Sequence, residues 1–337
     1  MRNIYDLTIK ELEDYFISIN EKKFRAVQVY EALYKRRVTS FDDMTNISKE
    51  VREKLKQDFS FYKIKMLIKQ QGKNVNKYLF ELEDGNKIES VLMFHDYGTS
   101  ICVSSQVGCN MTCAFCESGR LKKVRNLLAY EIVEQILQIE EDINKRITHV
   151  VVMGIGEPFD NYDNVLRFVK IINCGKGIDI GSRHITISTC GVIPGIKKFM
   201  KEEGQVNLAI SLHAPNNTLR SRIMPINKAY PLNELMETIK EYINKTNRRV
   251  TFEYIMLDNV NDSEENAKEL ALLLKGINCY VNLIPYNETE NIEFKRTKEW
   301  KIMKFYDILK KNKINVTIRK EFGGSVDAAC GQLRANN

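Results

Sequence analysis

From about residue 99 to residue 318 the chain alternates two kinds of segment, and that rhythm constrains its fold more than any other feature. Short apolar runs recur at 100–107, 149–153, 184–188, 206–212, 249–256, 280–284 and 315–318. Longer stretches with a helical apolar period lie between most of them, at 129–141, 162–172, 232–244, 263–274 and 299–312. Two strands can run parallel side by side only if a long connection carries the chain back, and a helix does this. Repeated units of this kind predict a parallel sheet with right-handed crossovers. Six or so units predict an α/β fold built as a full or partial barrel, in which the loops after the strands form the active site.

The segments before the rhythm differ in character. Residues 1–60 read as a small helical domain. Apolar residues recur with helical spacing at 7–16, 24–34 and 47–59, and Thr8 and Glu11 stand in capping-box positions. Residues 61–98 read as a β extension with short strands at 65–70, 77–82 and 88–94, punctuated by Asn74 and by Asp84-Gly85. The remainder, 99–337, is the barrel core with its tail. No stretch approaches the roughly 20 apolar residues of a membrane span. The N-terminus lacks the apolar centre of a signal peptide. A cytoplasmic protein is expected, and its eight cysteines then point to metal binding or catalysis rather than disulfides. The net charge is +7, with basic clusters at Lys35-Arg36-Arg37, at Lys122, Lys123 and Arg125, and at Arg248-Arg249. Such clusters attract phosphate backbones. They also occur as a solvated lysine-rich surface, and charge alone does not decide between the two.

The chemistry concentrates in one loop. Cys109, Cys113 and Cys116 form a CxxxCxxC pattern directly after the first run. Zinc sites and iron–sulfur clusters normally take four protein ligands. Three thiols with no fourth nearby suggest a [4Fe–4S] cluster with one iron open to a cofactor; a zinc or a set of buried thiols is the plainer alternative. Phe115, beside the last cysteine, either shields such a cluster or simply packs. Met153-Gly-Ile-Gly-Glu-Pro158 follows the second run, and its glycines allow close backbone approach to a ligand. Glu157 there offers an acceptor for an ammonium or ribose hydroxyl; a tight turn is the alternative. Ser188 ends the third run, and Ser211, Leu212 and His213 end the fourth. His213 is either a hydrogen-bonded structural residue or a ligand contact. Cys102 and Cys330 lie 228 residues apart and form no local metal motif. A small buried hydrophobe is the default for either; Cys330, beside Gly331 and small alanines, departs from it and suits an accessible nucleophile. Cys174, Cys190 and Cys279 read as structural.

Together these motifs resemble the radical-SAM enzymes. Cys102, the run 327–333 around Cys330, the run 281–287 and the run 222–227 narrow the resemblance to the RlmN/Cfr group of ribosomal RNA adenine methyltransferases, over almost the whole chain. The resemblance implies a radical-SAM partial (βα)6-type barrel with a [4Fe–4S] cluster on Cys109, Cys113 and Cys116. It implies S-adenosylmethionine, two molecules per turnover, among Gly156, Glu157, Ser188, Ser211, Leu212, His213 and Asn287. Cys330 would accept a methyl group, which would pass as a radical to an adenine ring carbon. Cys102 would then form a transient disulfide with Cys330 and release the base. Glu89 matches a proton acceptor. The substrate would be 23S rRNA, with tRNA open as a second; the protein would act as a monomer, with an electron donor such as flavodoxin or ferredoxin. Pro158 and Pro285 resemble members that methylate carbon 2 of adenine, whereas Gly119 is closer to carbon-8 members that confer antibiotic resistance. Carbon 2 is favoured. A radical-SAM enzyme on a non-RNA substrate and a zinc-holding nucleic-acid-binding module are the remaining readings.

Overall fold

The parallel strands form because each carries a row of buried aliphatic residues on its outer face. A computed structural model describes residues 1–202, 204–319 and 331–333. Its main sheet has ten strands in strict chain order. The antiparallel first part comprises β1 (Lys65–Gly72), β2 (Val75–Glu81) and β3 (Lys87–His95), and β3 pairs antiparallel with β4 (Gly98–Val103). From β4 onward every pairing is parallel: β5 (His149–Val152), β6 (Ile185–Thr189), β7 (Asn207–Ser211), β8 (Val250–Met256), β9 (Cys279–Pro285) and β10 (Asn315–Ile318). Ile101, Val150, Ile187, Leu208, Phe252 and Val281 are buried outward against the helices. A one-residue slip would turn that whole row to the other face, so the register is firmly set. Alternate positions turn inward and are more polar, among them Ser188, Ser211 and Glu253.

The helices cover the outer face. They are α4 (Ala129–Ile143), α5 (Tyr162–Ile172), α6 (Ile193–Phe199), α7 (Asn217–Ile223), α8 (Leu232–Thr246), α9 (Glu264–Leu273) and α10 (Glu299–Lys311). Six strand–helix units and a closing strand make an open barrel, the predicted class. Two helices escaped the periodicity reading. Both α6 and α7 have only seven residues, too few to show a helical period, and α7 depends on Asn216, whose Oδ1 accepts from Leu219 N at 2.9 Å. The first barrel strand is shorter than the expected run 100–107. Its ladder stops at Val103, because Gln135 of α4 takes over Ser104: Ser104 N donates to Gln135 Oε1 at 2.8 Å and Gln135 Nε2 donates to Ser104 O at 3.1 Å.

The N-terminal module holds three helices: α1 (Ile9–Ser18), α2 (Arg25–Tyr34) and α3 (Lys49–Asp58). The capping box is formed, with Glu11 N donating to Thr8 Oγ1 at 3.3 Å and Thr8 N donating to Glu11 Oε2 at 2.9 Å. The module seats on α4 and α5. Arg167 reaches Glu11 Oε1 at 2.6 Å, and Arg37 pairs with Glu140. Part of each basic cluster is engaged within the fold, while Lys35, Arg36, Lys122 and Arg249 are exposed. Besides Arg37, Arg125 grips Glu131 at 2.7 Å and Asp84 at 2.5 Å, and Lys123 meets Asp160 at 2.7 Å. Arg248 binds the Val206 carbonyl, and Arg249 lies 3.9 Å over the Tyr280 ring. Among the described residues no helix is long and apolar enough to cross a membrane.

Glu134 of α4 lies at this seam, fully buried, and its Oε1 has no hydrogen-bond partner among the described residues. Burial pushes its carboxyl up to about 7, despite the opposing Gln138 bond and the charges of Lys63 and Arg37. A folded-state value above the ordinary 4.5 means that the native protein holds the proton longer than the unfolded chain does. Stability from this group is full below about 4.5 and declines as pH rises to about 7. The Glu134→Gln variant should therefore gain stability over wild type at pH 8, on the order of 3 kcal/mol at most. The difference should vanish near pH 4.5, as measured by urea unfolding at both pH values.

Candidate active site

The cysteine loop is held in place by the turn that follows the neighbouring strand. Ser105 N and Gln106 N both donate to Ile155 O, at 2.9 and 3.1 Å, and Ile155 N donates to Ser104 Oγ at 3.0 Å. Glu157 N donates to Gln106 Oε1 at 2.9 Å. The two glycines of the GIGEP turn make this contact possible. A Cβ on Gly154 would stand 2.7 Å from Val103 O and 2.8 Å from Ser104 N, and Gly156 has φ +108° with Gln106 Cβ at 2.6 Å. The glycines thus answer first to packing against the cysteine loop.

Beyond Val107 the chain turns at Gly108 (φ +72°) and crosses the strand ends. Cys109 N donates to Leu121 O at 2.9 Å, and Ala114 N donates to Ile223 O at 2.9 Å. Cys109, Cys113 and Cys116 line one cavity with Gly154, Gly156 and Glu157. Burial pushes the Cys109 thiol up to about 12, and it raises Cys113 well above the ordinary thiol range, with Cys116 and Cys109 adding to the effect. The fold by itself keeps these thiols protonated, so a cationic centre must stabilise their thiolate form. Among the described residues no three His, Cys, Asp or Glu side chains converge as the ligands of a single metal ion. Three cysteines on one cavity wall, Cys109 buried and Cys113 and Cys116 half-buried, fit the donor set of a [4Fe–4S] cluster with one iron left open.

The strand-end residues complete the wall. Ser188, Ser211 and His213 line the cavity. Glu157 is buried, with Oε1 accepting from Phe159 N at 2.9 Å and Oε2 from Cys190 N at 2.7 Å, while burial raises its carboxyl. His213 sits at φ +58°, with Phe115 edge-on to it at 4.8 Å. Its Nδ1 accepts from Ile255 N at 3.0 Å, so the assigned tautomer carries its proton on Nε2. Burial, helped by the charge of Arg220, pulls its pKa down to about 3, and the ring is neutral. Leu212 and Asn287 do not line the cavity. Leu212 is buried and contributes its carbonyl to Arg220; Asn287 is half-buried just beyond β9.

Sequence reasoning missed Arg220 and Glu253. Arg220 is fully buried, with no carboxylate partner among the described residues. It donates to Cys190 O (2.6 Å), Ser211 O (3.2 Å), Leu212 O (3.2 Å) and Asn227 Oδ1 (3.0 Å), tying two strand ends to α7. Nothing local marks it, since its acceptors are carbonyls brought together by the fold. Glu253 lies on the cavity floor; an acidic residue inside an apolar strand was the available signal.

Cys102 and Glu89 sit on adjacent strands, where Cys102 pairs with Val91. Glu89 is buried, with Lys77 Nζ 3.2 Å from its Oε1. Cys102 lines a smaller cavity with Cys116, Met153, Gly154 and Gly331. Gly331 O accepts from Glu117 N at 2.7 Å, and Leu333 O accepts from Ser118 Oγ at 2.6 Å. Cys330 itself lies outside the described residues.

The family model "Ribosomal RNA large subunit methyltransferase N-terminal domain" matches residues 2–60, and that of the radical SAM superfamily matches residues 103–271. A Spiroplasma citri protein named "Probable dual-specificity RNA methyltransferase RlmN" is 54% identical over 341 residues, covering 100% of this chain and 98% of its own length. An Enterococcus faecalis protein of the same name is 55% identical over 342 residues, covering 99% and 96%. The crystal structure of a radical SAM methyltransferase from Sphaerobacter thermophilus superposes with a TM-score of 0.94 at 41% identity, over 100% of both chains.

The role of the GIGEP glycines can be tested directly. Gly154→Ala should lower stability by about 2 kcal/mol, because its new methyl meets backbone atoms that cannot swing aside. A thermal or urea midpoint equal to wild type would remove the packing argument.

Proposed function

The chain belongs to the RlmN family of radical SAM RNA methyltransferases, and we propose that it methylates carbon 2 of an adenosine in 23S rRNA and in tRNA. The relatives' shared description as dual-specificity RNA methyltransferases supports both RNA classes. Pro158 and Pro285 match the carbon-2 members. Gly119, the feature closest to carbon-8 members, has a local reason: a Cβ there would stand 2.8 Å from Cys113 O and 3.0 Å from Cys113 N. Packing of the cysteine loop demands glycine whichever atom is methylated.

Simple transfer cannot methylate this position, because an amidine carbon and a sulfonium methyl are both electrophiles. When bound, the [4Fe–4S] cluster and two molecules of S-adenosylmethionine supply an electrophilic methyl group and a 5′-deoxyadenosyl radical. Cys109, Cys113 and Cys116 hold the cluster through sulfur. Gly156, Glu157, Ser188, Ser211 and His213 form the adenosyl side of the cavity, with Leu212 and Asn287 as outer supports. Cys330 takes the methyl on its sulfur and loses its thiol proton. Glu89 accepts the proton that leaves the adenine carbon. Once the methylene on Cys330 is joined to the adenine carbon, Cys102 would attack the Cys330 sulfur as a thiolate: the disulfide forms, the sulfur–methylene bond breaks, and the methylene takes up a proton and leaves as the methyl of the base; two electrons from an external donor of the flavodoxin or ferredoxin class, with two protons, restore both thiols. The observation that carries the relay is the docking of 331–333 on the cysteine loop: the residue after Cys330 forms part of the wall of the cavity that Cys102 lines. The target base must be unstacked to enter, so the RNA presents an accessible adenosine. Residues 1–60 help to position that RNA, and a monomer in the reducing cytoplasm suits a chemistry that depends on free thiols.

Protein reconstituted anaerobically should hold about four irons per chain, with a broad visible absorbance that dithionite bleaches. Replacing Cys109, Cys113 or Cys116 by Ala should abolish it, and stoichiometric zinc in place of iron would sink the cluster. Mass spectrometry of 23S rRNA and tRNA incubated with the enzyme should find the new methyl on carbon 2. A methyl on carbon 8 would move the chain to the other subgroup. Cys330→Ala should methylate no RNA, and continued methylation by that variant would exclude the relay.

A further inference from the structure

The inward row of the barrel contains a carboxylate one oxygen of which accepts no hydrogen bond from the described residues. Ser211, Glu253, Asn282 and Thr317 are neighbours in the registers of β7, β8, β9 and β10. Thr317 Oγ1 donates to Asn282 Oδ1 at 2.8 Å, and Asn282 Nδ2 donates to Glu253 Oε1 at 2.9 Å. That chain fixes one oxygen of Glu253. The other, Oε2, is buried and accepts no hydrogen bond from the described residues; Arg319 Nη1 stands 3.9 Å away, beyond hydrogen-bond range. Glu253 is 4% exposed and lines the same cavity as the three cysteines. An orphaned buried acceptor is costly, so its donor is to be sought in a ligand.

We propose that Glu253 Oε2 binds the ribose hydroxyls of the adenosyl ligand. This rests on the cavity being the S-adenosylmethionine site. The ligand has three kinds of donor: the ammonium, the two ribose hydroxyls and the adenine 6-amino group. The ammonium would lose its proton to ligate the cluster's open iron, the position that three cysteine ligands leave vacant, and so would not be the donor here. Ile255 and Ile284 also line the cavity, each two residues beyond the polar row on its strand, and they offer apolar contact to a base rather than to a sugar. The vicinal diol remains, and it meets a carboxylate with the Ser211 hydroxyl on the adjacent strand. A carboxylate gripping a ribose hydroxyl is the same device that dinucleotide-binding folds use.

The test is a set of binding ratios. Cluster-loaded, oxidised protein is titrated calorimetrically with S-adenosylmethionine and with its 2′-deoxy, 3′-deoxy and 6-desamino analogues. In wild type, deleting a hydroxyl bonded to a carboxylate should weaken binding about tenfold or more. In Glu253→Ala that ratio should shrink to about twofold. In Glu253→Gln it should fall only partway, because the amide oxygen stays with Asn282 and the amide N–H₂ still donates to a hydroxyl oxygen, but as a neutral partner. Each ratio is taken within one protein, so a general loss of affinity or partial unfolding cancels. A purely structural role for Glu253 would weaken all four ligands alike and leave the ratios unchanged, which overturns the proposal. So does a wild-type protein indifferent to both hydroxyls, or one whose 6-desamino ratio alone depends on Glu253. If wild type takes up no S-adenosylmethionine at all, the adenosyl site itself fails and the role of Glu253 falls with it.

Discussion

Backbone meets backbone where β4 and β5 end, and the site depends on that approach. Gly154 sits so close to Val103 and Ser104 that no side chain fits between them. The loop after β4 and the turn after β5 therefore act as one piece, joined by the bonds to Ile155 O and by Gln106 to Glu157. The cysteine loop grows out of this piece, and Glu157 reaches from it to Cys190 N at the end of β6. Arg220 continues the linkage to β7 and α7 through carbonyls alone. The loops at the strand ends are in this way fixed to one another before any ligand is considered.

The cavity they enclose is electrically unusual. Two of its thiols are raised by burial, the Glu157 and Glu253 carboxyls are raised as well, and His213 is held neutral. Arg220 is a buried cation whose acceptors carry no formal charge. Buried groups of this kind are stable only when the fold or a ligand satisfies them. Glu157 is satisfied by two backbone N–H groups and His213 by Ile255 N, whereas one oxygen of Glu253 accepts no hydrogen bond from the described residues. The contrast separates residues that build the cavity from one that waits for its occupant.

The periphery shows why charge patterning misleads. Arg37, Lys123 and Arg125 form clusters in the sequence, yet each has a carboxylate partner from a distant segment. They fasten the N-terminal module, the cysteine loop and the β extension to the barrel. Exposed pairs of this sort contribute little singly; those to Glu131 and Glu140, which are buried, hold elements in place because an unpaired acid there would be costly.

Local patterns were legible in the sequence because their physics is local. The alternation of strand and helix, the Thr8–Glu11 cap, the CxxxCxxC spacing and the glycine turn each depend on residues a few positions apart. The seven-residue helices were too short for a period to register. What only the tertiary structure decided is which groups share an environment. The sequence marked Gly154 and Gly156 as permissive toward a ligand, but the fold presses them against the preceding loop. It marked Cys102 and Glu89 as separate residues, and antiparallel pairing of β3 with β4 sets them on adjacent strands. Nothing in the chain near Arg220 or Glu253 announced them, because hydrogen-bond satisfaction in a buried site is a property of distant partners. Periodicity and spacing are written along one dimension; burial and pairing exist only when strands 49 residues apart in sequence are brought together, as Cys102 and Val151 are, by a sheet whose register the buried aliphatic rows enforce.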